Sequence, residues 1–469
     1  MEAVYPRQCA VSVEHDKGVM EAGLFRFLRF SLGLEGEVKG LLDGRKGSFD
    51  WDACYQFAKR QTLVGVLFDG IQRLPKELAP ARPLLLRWLS DSESIRRRNM
   101  RMDRASAYIY NKVCAAGFRC CILKGQGNAL LYPHPSSRIP GDVDVWVMAN
   151  REELRHIALS LTEGDGSSLQ ESLNHIGLTV HGVSVELHST PALLNSPLHN
   201  SRLQKWLKRN ADLQCSNRIA LPNNAGEVAI PTLSFNIIYQ LCHLFHHCFY
   251  EGVGLRQIVD YYFVLKNTDF SGDTDRVGVL SNTDYTDFTD RFSGNTDGGG
   301  FLLNTNCTDS TDSSSGDFEG DGCLLNMDCA DFLDSSSGGL GKVDSGGAFV
   351  ALQEELKWLG LWEFAGAVMY VLREVMGLDE KRMICAPDER RGRLLLEEIM
   401  AGGNFGHYDE RNHFGQGALW HNIQRFRRDW RMLRFYPSEA LSEPLFRVCH
   451  FLWRWKQKHT GMPKERNRN

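Results

Sequence analysis

The chain has 469 residues, enough for two or three domains of ordinary size with a substantial core. Apolar residues make up 42% and charged residues 24%, which excludes collagen-like, wholly disordered and disulfide-scaffold proteins. The net charge of −4 excludes the strong basic field of many nucleic-acid-binding proteins. The first residues lack a secretory pattern and the 13 cysteines are scattered, so we expect a reducing, cytoplasmic compartment. We expect no membrane span, because no apolar run is long enough.

The N-terminal part, residues 20–117, is predicted to be a mostly helical region. Its apolar side chains recur at mixed helical spacing. The stretch from Asp91 to Ala116 is predicted as one long amphipathic helix. Its arginine run, Arg96–Arg98, is interpreted as a solvated helix face.

The pattern then changes to alternating strands and helices. Phe118–Leu123 and Val143–Val147 are short apolar runs of strand length. Asn150, with Glu153 three residues later, predicts a helix start. Two further strands are expected on either side of Gly182, over Leu178–His181 and Val183–His188. This order predicts an α+β core with a small mixed sheet, which we place at residues 118–230.

The remainder of the chain is predicted to be helical, over residues 231–266 and 348–460, with a different kind of segment in between. Residues 267–347 hold 15 Asp, one Glu and only three basic residues. A stretch that begins at Leu302 returns 22 residues later at Leu324. Its low apolar content and self-repulsion predict a disordered acidic insert. Weak calcium binding is the alternative, although no EF-hand spacing is present.

The strongest chemical signal is the sequence Gly141-Asp142-Val143-Asp144. On a strand, Asp142 and Asp144 point to the same face, about 7 Å apart along the strand. Such paired carboxylates suit a divalent metal, and Mg²⁺ commonly takes carboxylates together with substrate phosphates. The alternative is a strand edge with two solvated carboxylates.

Two neighbouring motifs raise the specificity of this signal. Upstream, Leu123-Lys124-Gly125 ends a strand and opens a helix, where backbone amides and Lys124 could hold a triphosphate. Downstream, the alternation in residues 183–188 places Glu186 and His188 on one strand face. Glu186 would then be a third carboxylate, or else the partner of a nearby arginine.

These motifs resemble the DNA polymerase beta-like nucleotidyltransferase superfamily, and more closely its bacterial family of uncharacterised nucleotidyltransferases. The superfamily usually has Gly-Ser or Gly-Gly after the first strand, where this chain has Lys124-Gly125. The resemblance covers nearly the whole chain outside 267–347. It is carried by Leu123-Lys124-Gly125, Tyr132-Pro133, Arg138-Ile139-Pro140-Gly141-Asp142-Val143-Asp144, Glu186-Leu187-His188, Gly254–Asp260 and Gly402–Gly406.

The resemblance implies an enzyme, a nucleotidyltransferase that transfers a nucleotide from an NTP such as ATP to an unidentified hydroxyl acceptor. It implies Mg²⁺, or Mn²⁺, held by Asp142, Asp144 and Glu186, with Glu186 alternatively acting as a base. Other implied roles are phosphate contacts from Lys124, Gly125, Arg138 and Gly141, and pocket positions for His188, Arg256 and Asp260. A nucleotide-binding pseudoenzyme, or a regulatory or interaction protein of the same fold, is the alternative.

Several of these residues also have purely structural interpretations. Arg138 could pair with Asp142 or Asp144, His188 could be a packing residue, and Arg256 and Asp260 could form a helical ion pair. The stretch Cys242–Cys248 lacks a second ligand pair at zinc spacing, which favours a buried helix face or pocket lining. The aromatic, basic stretch Trp420–Lys458 is interpreted as a packed helix with solvated arginines, and contact with an acceptor polymer is the alternative.

Overall fold

The computed structural model describes residues 20–36, 49–162, 169–268, 345–409, 411 and 418–459. These residues belong to one unit, which joins Met1–Ser271 with Ser345–Asn469. Most of the predicted acidic insert lies outside the described residues, so its disorder stays a prediction. No helix within the described ranges is long and apolar enough to cross a membrane.

The centre of the fold is a five-stranded mixed sheet with the order β1-β2-β5-β4-β3. β2 pairs antiparallel with β1 and parallel with β5, and β4 pairs antiparallel with both β5 and β3. β1 and β2 are buried along their whole length. The prediction of an α+β fold with a small mixed sheet is confirmed. The strands are β1 (Cys120–Leu123), β2 (Val143–Val147), β3 (Gln170–Glu171), β4 (His175–Val180) and β5 (Val183–His188).

Helices precede the sheet, as the apolar periodicity predicts. Trp88 on α4 is fully buried, and its indole nitrogen donates to the carbonyl of Val64 on α3 over 2.9 Å. α4 begins nine residues before the predicted Asp91, because Pro83 is compatible with a first helical turn. The helices are α1 (20–31, the first described helix), α2 (Trp51–Arg60), α3 (Val64–Gln72) and α4 (Arg82–Ala115).

Further helices and a hairpin complete the α/β part. α6 begins with the predicted capping box, in which Asn150 and Glu153 satisfy each other's backbone amides. Neither α7 nor the hairpin β6–β7 is predicted from the sequence pattern. The elements are α5 (Gly125–Ala129), α6 (Arg151–Leu161), α7 (Pro197–Ser216), β6 (Arg218–Leu221) and β7 (Gly226–Ala229).

The remaining helices pack on one another and on the sheet. The helical region predicted over 231–266 is divided into two helices, because the chain turns at Glu251–Gly254, where Gly252 adopts a φ of +111°. The last helix starts at Pro437, and Glu439 in its first turn accepts backbone N–H bonds from Asn195 and Ser196. The helices are α8 (Leu233–Tyr250), α9 (Leu255–Asn267), α10 (Ser345–Trp358), α11 (Trp362–Met376), α12 (Glu389–Gly402), α13 (Ala418–Leu433) and α14 (Pro437–His459).

Candidate active site

The register of the central strands brings three carboxylates together. Asp144 on β2 lies directly beside Glu186 on the parallel strand β5. Asp142 lies two residues before Asp144, just outside the strand, and its carboxylate turns to the same side. One ligand oxygen from each residue lies within 4.8 Å of the other two. We call Asp142, Asp144 and Glu186 the carboxylate cluster.

Two basic side chains make the shortest contacts with this cluster from within the protein. Lys124 Nζ lies 3.0 Å from Asp144 Oδ2. His188 Nε2 lies 3.1 Å from Asp144 Oδ1 and 3.2 Å from Glu186 Oε2. His188 is two residues after Glu186 on β5, so the same alternation that directs Glu186 also directs His188. A second histidine, His175, has its Nε2 3.7 Å from Glu186 Oε1, but burial lowers its pKa. With His188 protonated, three carboxylates therefore face two cations.

The pKa values of the cluster reflect this imbalance. Burial acts to raise the pKa of Asp144, but Lys124 and His188 together hold it well below its usual range. Burial acts to raise the pKa of Glu186, but the His188 hydrogen bond and the nearby histidines His188 and His175 together lower it on balance. The pKa of Asp142 is raised by burial and by the neighbouring charge of Asp144. Asp142 therefore carries the negative charge that the protein compensates least.

The chain reaches Lys124 through an unusual backbone conformation. Lys124 follows β1 with φ +48° and ψ −127°, a combination that residues with a Cβ rarely adopt. A non-glycine residue held in this way costs free energy, so the position requires support from the surrounding structure. Its side chain receives such support from Asp144 and from His243 Nε2, which lies 3.2 Å from Nζ.

A pocket opens beside the carboxylate cluster. Eight of the ten predicted site residues line it, and the other two, Glu186 and His188, contact Asp144 or lie beside it. The structure thus brings together every residue that the sequence analysis assigned to the site. The lining residues are Lys124, Gly125, Asn128, Arg138, Gly141, Asp142, Asp144, Gln240, His243, Leu244, Arg256, Gln257, Asp260 and Phe405.

The far wall of the pocket is built on a buried ion pair. Arg138 donates from Nε and Nη2 to the two carboxylate oxygens of Asp260, each over 2.7 Å. The hydroxyl of Tyr132 donates to Asp260 Oδ1 over 2.6 Å. Asp260 therefore pairs with Arg138, not with Arg256, whose Nη1 donates to the carbonyl of Ile139 over 2.8 Å. Two structural interpretations from the sequence are therefore wrong. Arg138 does not pair with the carboxylate cluster, and Arg256 does not pair with Asp260.

Three buried donors on this wall have no hydrogen-bond partner among the described residues. They are Nη1 of Arg138, Nε of Arg256 and Nε2 of Gln257. A buried donor without a partner costs about 1–3 kcal/mol. Because all three side chains line the pocket, an anionic or carbonyl-bearing ligand could satisfy them.

Some residues of the pocket were not assigned to the site from the sequence. His243 has the most direct contact with the site, because its Nε2 contacts Lys124 and lies 2.9 Å from His247 Nε2. The four-residue spacing of His243 and His247 was the available signal, and it was correctly interpreted as pocket lining or a buried helix face. Among the described residues, two groups could hold a metal, namely the carboxylate cluster and the set His175, Glu186 and His188, and neither includes Cys242 or His243. Asn128, Gln240 and Gln257 carried no signal of their own.

Comparison with known proteins places this site in context. Residues 47–283, just over half of the chain, match the family described as uncharacterised nucleotidyltransferase. A crystal structure of an antigenic nucleotidyltransferase-like protein from Paracoccidioides brasiliensis is similar at 16% identity, over 35% of this chain and 75% of that one, with a TM-score of 0.24. No curated protein matches the chain. On the strength of residues 47–283, the chain belongs to the uncharacterised nucleotidyltransferase family.

Proposed function

We propose that the protein is a divalent-metal-dependent nucleotidyltransferase of the DNA polymerase beta-like type, which transfers a nucleotide from an NTP to a hydroxyl acceptor. The observation that carries the proposal is the carboxylate cluster, with its oxygens within 4.8 Å of one another at the edge of a pocket rich in buried donors. Family membership supports a transferase role.

The residues of the cluster fit Mg²⁺ or Mn²⁺. Both ions prefer hard oxygen donors, and the cluster supplies three carboxylates with excess negative charge. When bound, such an ion would neutralise charge on the nucleotide's phosphates and orient them. Asp142, Asp144 and Glu186 would hold it. The lowered pKa of Glu186 makes it a weak proton acceptor near neutral pH, which favours the role of ligand over that of base.

The phosphates of the nucleotide would be bound by the basic side chains of the pocket. Lys124 lies between the cluster and His243, within reach of any group bound at Asp144. Arg138 retains one unpartnered donor, Nη1, after pairing with Asp260. Gly125 and Gly141 line the same pocket and leave room for a ligand to approach the backbone. His188, Arg256 and Asp260 act mainly by holding these groups in place.

In the proposed reaction, an oxygen of the acceptor hydroxyl forms a bond to the α-phosphorus of the NTP. The bond from that phosphorus to the bridging oxygen breaks, pyrophosphate leaves with the electron pair, and the hydroxyl proton passes to solvent. The chain's contribution is positioning and charge stabilisation, which are the principal sources of catalysis in phosphoryl transfer.

One observation favours a second candidate, a nucleotide-binding regulatory protein that has no transfer activity. Lys124 and His188 already occupy both oxygens of Asp144. If these contacts persist when nucleotide binds, the site would recognise phosphates without assembling a catalytic metal centre.

The test is calorimetric titration of ATP, GTP, CTP and UTP, with and without Mg²⁺, followed by a transfer assay with α-labelled nucleotide. The wild type should bind at least one NTP only with Mg²⁺, and Asp142→Ala/Asp144→Ala should lose this binding. Asp212→Ala/Glu227→Ala is the matched control, because it removes two exposed carboxylates elsewhere and should bind normally. Binding that is independent of both aspartates would contradict the proposal. Metal-dependent binding without transfer to any acceptor would favour the regulatory candidate.

A further inference from the structure

The C-terminal helices carry an unusual concentration of exposed apolar side chains. Among the described residues, sixteen large apolar side chains are exposed, and eight of them lie in α13 and α14. Isolated exposed apolar residues are normal on protein surfaces, but contiguous patches mark interaction sites. This surface takes no part in the candidate active site.

On α14 the exposed residues form a regular stripe. Leu441, Leu445, Val448, Leu452 and Trp455 follow one another at intervals of four and three residues, and each is 54–65% exposed. This spacing places them on one face of the helix over about four turns. We call this set the apolar stripe. On α13, Phe426 and Trp430 are 61% and 68% exposed, with ring centroids 6.3 Å apart.

The opposite side of α14 is held against the protein by polar contacts. Glu439 accepts hydrogen bonds from two backbone amides and lies 3.1 Å from His199 Nδ1. Arg447 bridges Asp429 on α13 and Glu443 on α14. The guanidinium of Arg151 lies 4.6 Å from the centre of the Trp453 ring. These contacts fix the orientation of α14 on the protein, and in that orientation the apolar stripe faces solvent.

The charges of this segment are strongly asymmetric. Residues 418–459 contain nine Lys and Arg but only three acidic residues. Those three, Asp429, Glu439 and Glu443, are 5%, 2% and 1% exposed. No carboxylate of this segment faces solvent, whereas Arg427 and Arg434 are exposed. The described outer surface of this segment therefore combines apolar side chains with basic ones. A complementary partner is therefore anionic and has an apolar layer into which leucine and tryptophan side chains can insert.

A second copy of the chain fits this surface poorly. The stripe spans only two heptads, which is less than the three or four that indicate a coiled coil. The positions flanking it include Ser442, Pro444, Phe451 and Lys456 but no acidic residue, so two copies would meet without attractive charge pairs. An anionic bilayer offers both features, since aromatic and leucine side chains insert at its interface and basic residues attract its headgroups.

We propose that α13 and α14 form a peripheral membrane-binding hairpin, in which the apolar stripe inserts into the surface of a bilayer that contains anionic lipids. This proposal is independent of the proposed function, because it uses no residue of the pocket. It provides a role for the aromatic, basic stretch Trp420–Lys458 that the active site does not explain.

The test is co-sedimentation of the full chain with vesicles of phosphatidylcholine alone, or with about one third phosphatidylglycerol. The wild type should sediment with the anionic vesicles and be released at high salt. Leu445→Glu/Leu452→Glu should reduce the bound fraction at least about tenfold, because it places charges in the stripe. Leu198→Glu/Leu213→Glu, at two sites on α7 that are each 58% exposed, should bind like the wild type.

Binding that does not depend on the stripe, or no binding to either vesicle, would overturn the proposal. Self-association that disappears in Leu445→Glu/Leu452→Glu without vesicle binding would assign the surface to a second copy instead. If that variant does not fold, quenching of tryptophan fluorescence by brominated lipid tests insertion of the stripe in the wild type and in Trp455→Phe. Trp455→Phe should then lose part of the quenching seen in the wild type, and unchanged quenching would contradict insertion.

Discussion

The carboxylate cluster and the Arg138–Asp260 pair line the same pocket but differ in how far their negative charge is balanced by neighbouring groups. Every oxygen of Asp260 is satisfied within the protein, by two donors of Arg138 and the hydroxyl of Tyr132. In the cluster, three carboxylates share Lys124 and His188, and the pKa of Asp142 is raised by burial and by Asp144. A buried ion pair whose charges balance supports the fold. A cluster with excess negative charge indicates a binding site for a cation that the chain does not itself supply.

The largest effect should come from breaking the buried ion pair. Asp260→Asn leaves the guanidinium of Arg138 buried without a counter-charge, since the two side chains are only 6% and 4% exposed. Removing one partner of such a pair costs about 3–5 kcal/mol. Urea unfolding should show this loss as a lower midpoint.

Asp212→Asn is the control for this experiment. It breaks the ion pair between Arg119 and Asp212, which is similar in length at 2.6 Å but 61% and 77% exposed. An exposed pair contributes about 0–1 kcal/mol, so its loss should hardly move the midpoint. Equal losses of stability in the two variants would show that the buried ion pair stabilises the fold no more than the exposed one.

A smaller effect is expected at a buried carboxylate that has no cation. Asp103 on α4 is 5% exposed and accepts a hydrogen bond from Gln126 on α5. Burial raises its pKa to about 6, although the Gln126 hydrogen bond opposes this. A raised pKa in the folded state means that ionisation disfavours folding. Stability should therefore decrease as pH rises from about 4 to about 6, and stay lower above that range.

Asp103→Asn should remove this dependence and stabilise the protein by about 2 kcal/mol near neutral pH. Unfolding midpoints measured between pH 4 and pH 7 would show a flatter profile for the variant than for the wild type. A parallel pair of profiles would mean that Asp103 is not the carboxylate responsible.

The smallest effect, and one of opposite sign to Asp260→Asn, is expected within the cluster. Asp142→Asn removes the least compensated negative charge, so stability without added metal should stay the same or increase. Added Mg²⁺ should raise the unfolding temperature of the wild type and have less effect on the variant, because ligands that bind only the folded state stabilise it. A clear loss of stability in the metal-free variant would show that Asp142 is structural, like Asp260.

Local sequence patterns predicted the elements that hold the cluster. β2 has the predicted bounds, and the alternation of residues 183–188 correctly placed Glu186 and His188 on one face. The capping box at Asn150 formed as expected. These features depend on side-chain period and on hydrogen bonds over three residues, so they can be recognised in the sequence alone.

Other features depend on contacts between distant parts of the chain. Asp260 pairs with Arg138 across 122 residues, and His243 reaches Lys124 across 119. The start of α14 is held by Glu439, whose partners lie more than 240 residues earlier. No local pattern predicts which of several compatible charges will meet, because the choice depends on how the sheet and the helices pack.

Local residue patterns are enough to specify the α+β character, the segments that carry Asp142, Asp144 and Glu186, and membership of a nucleotidyltransferase family. Only the packing of distant segments fixes which charges are satisfied within the protein and which remain for a ligand. The same packing turns the carboxylates of α13 and α14 inward and leaves Phe426, Trp430 and the apolar stripe exposed. The physical reason is the same in both cases: the state of a charge depends on burial and on its partners, and both are properties of the packed chain.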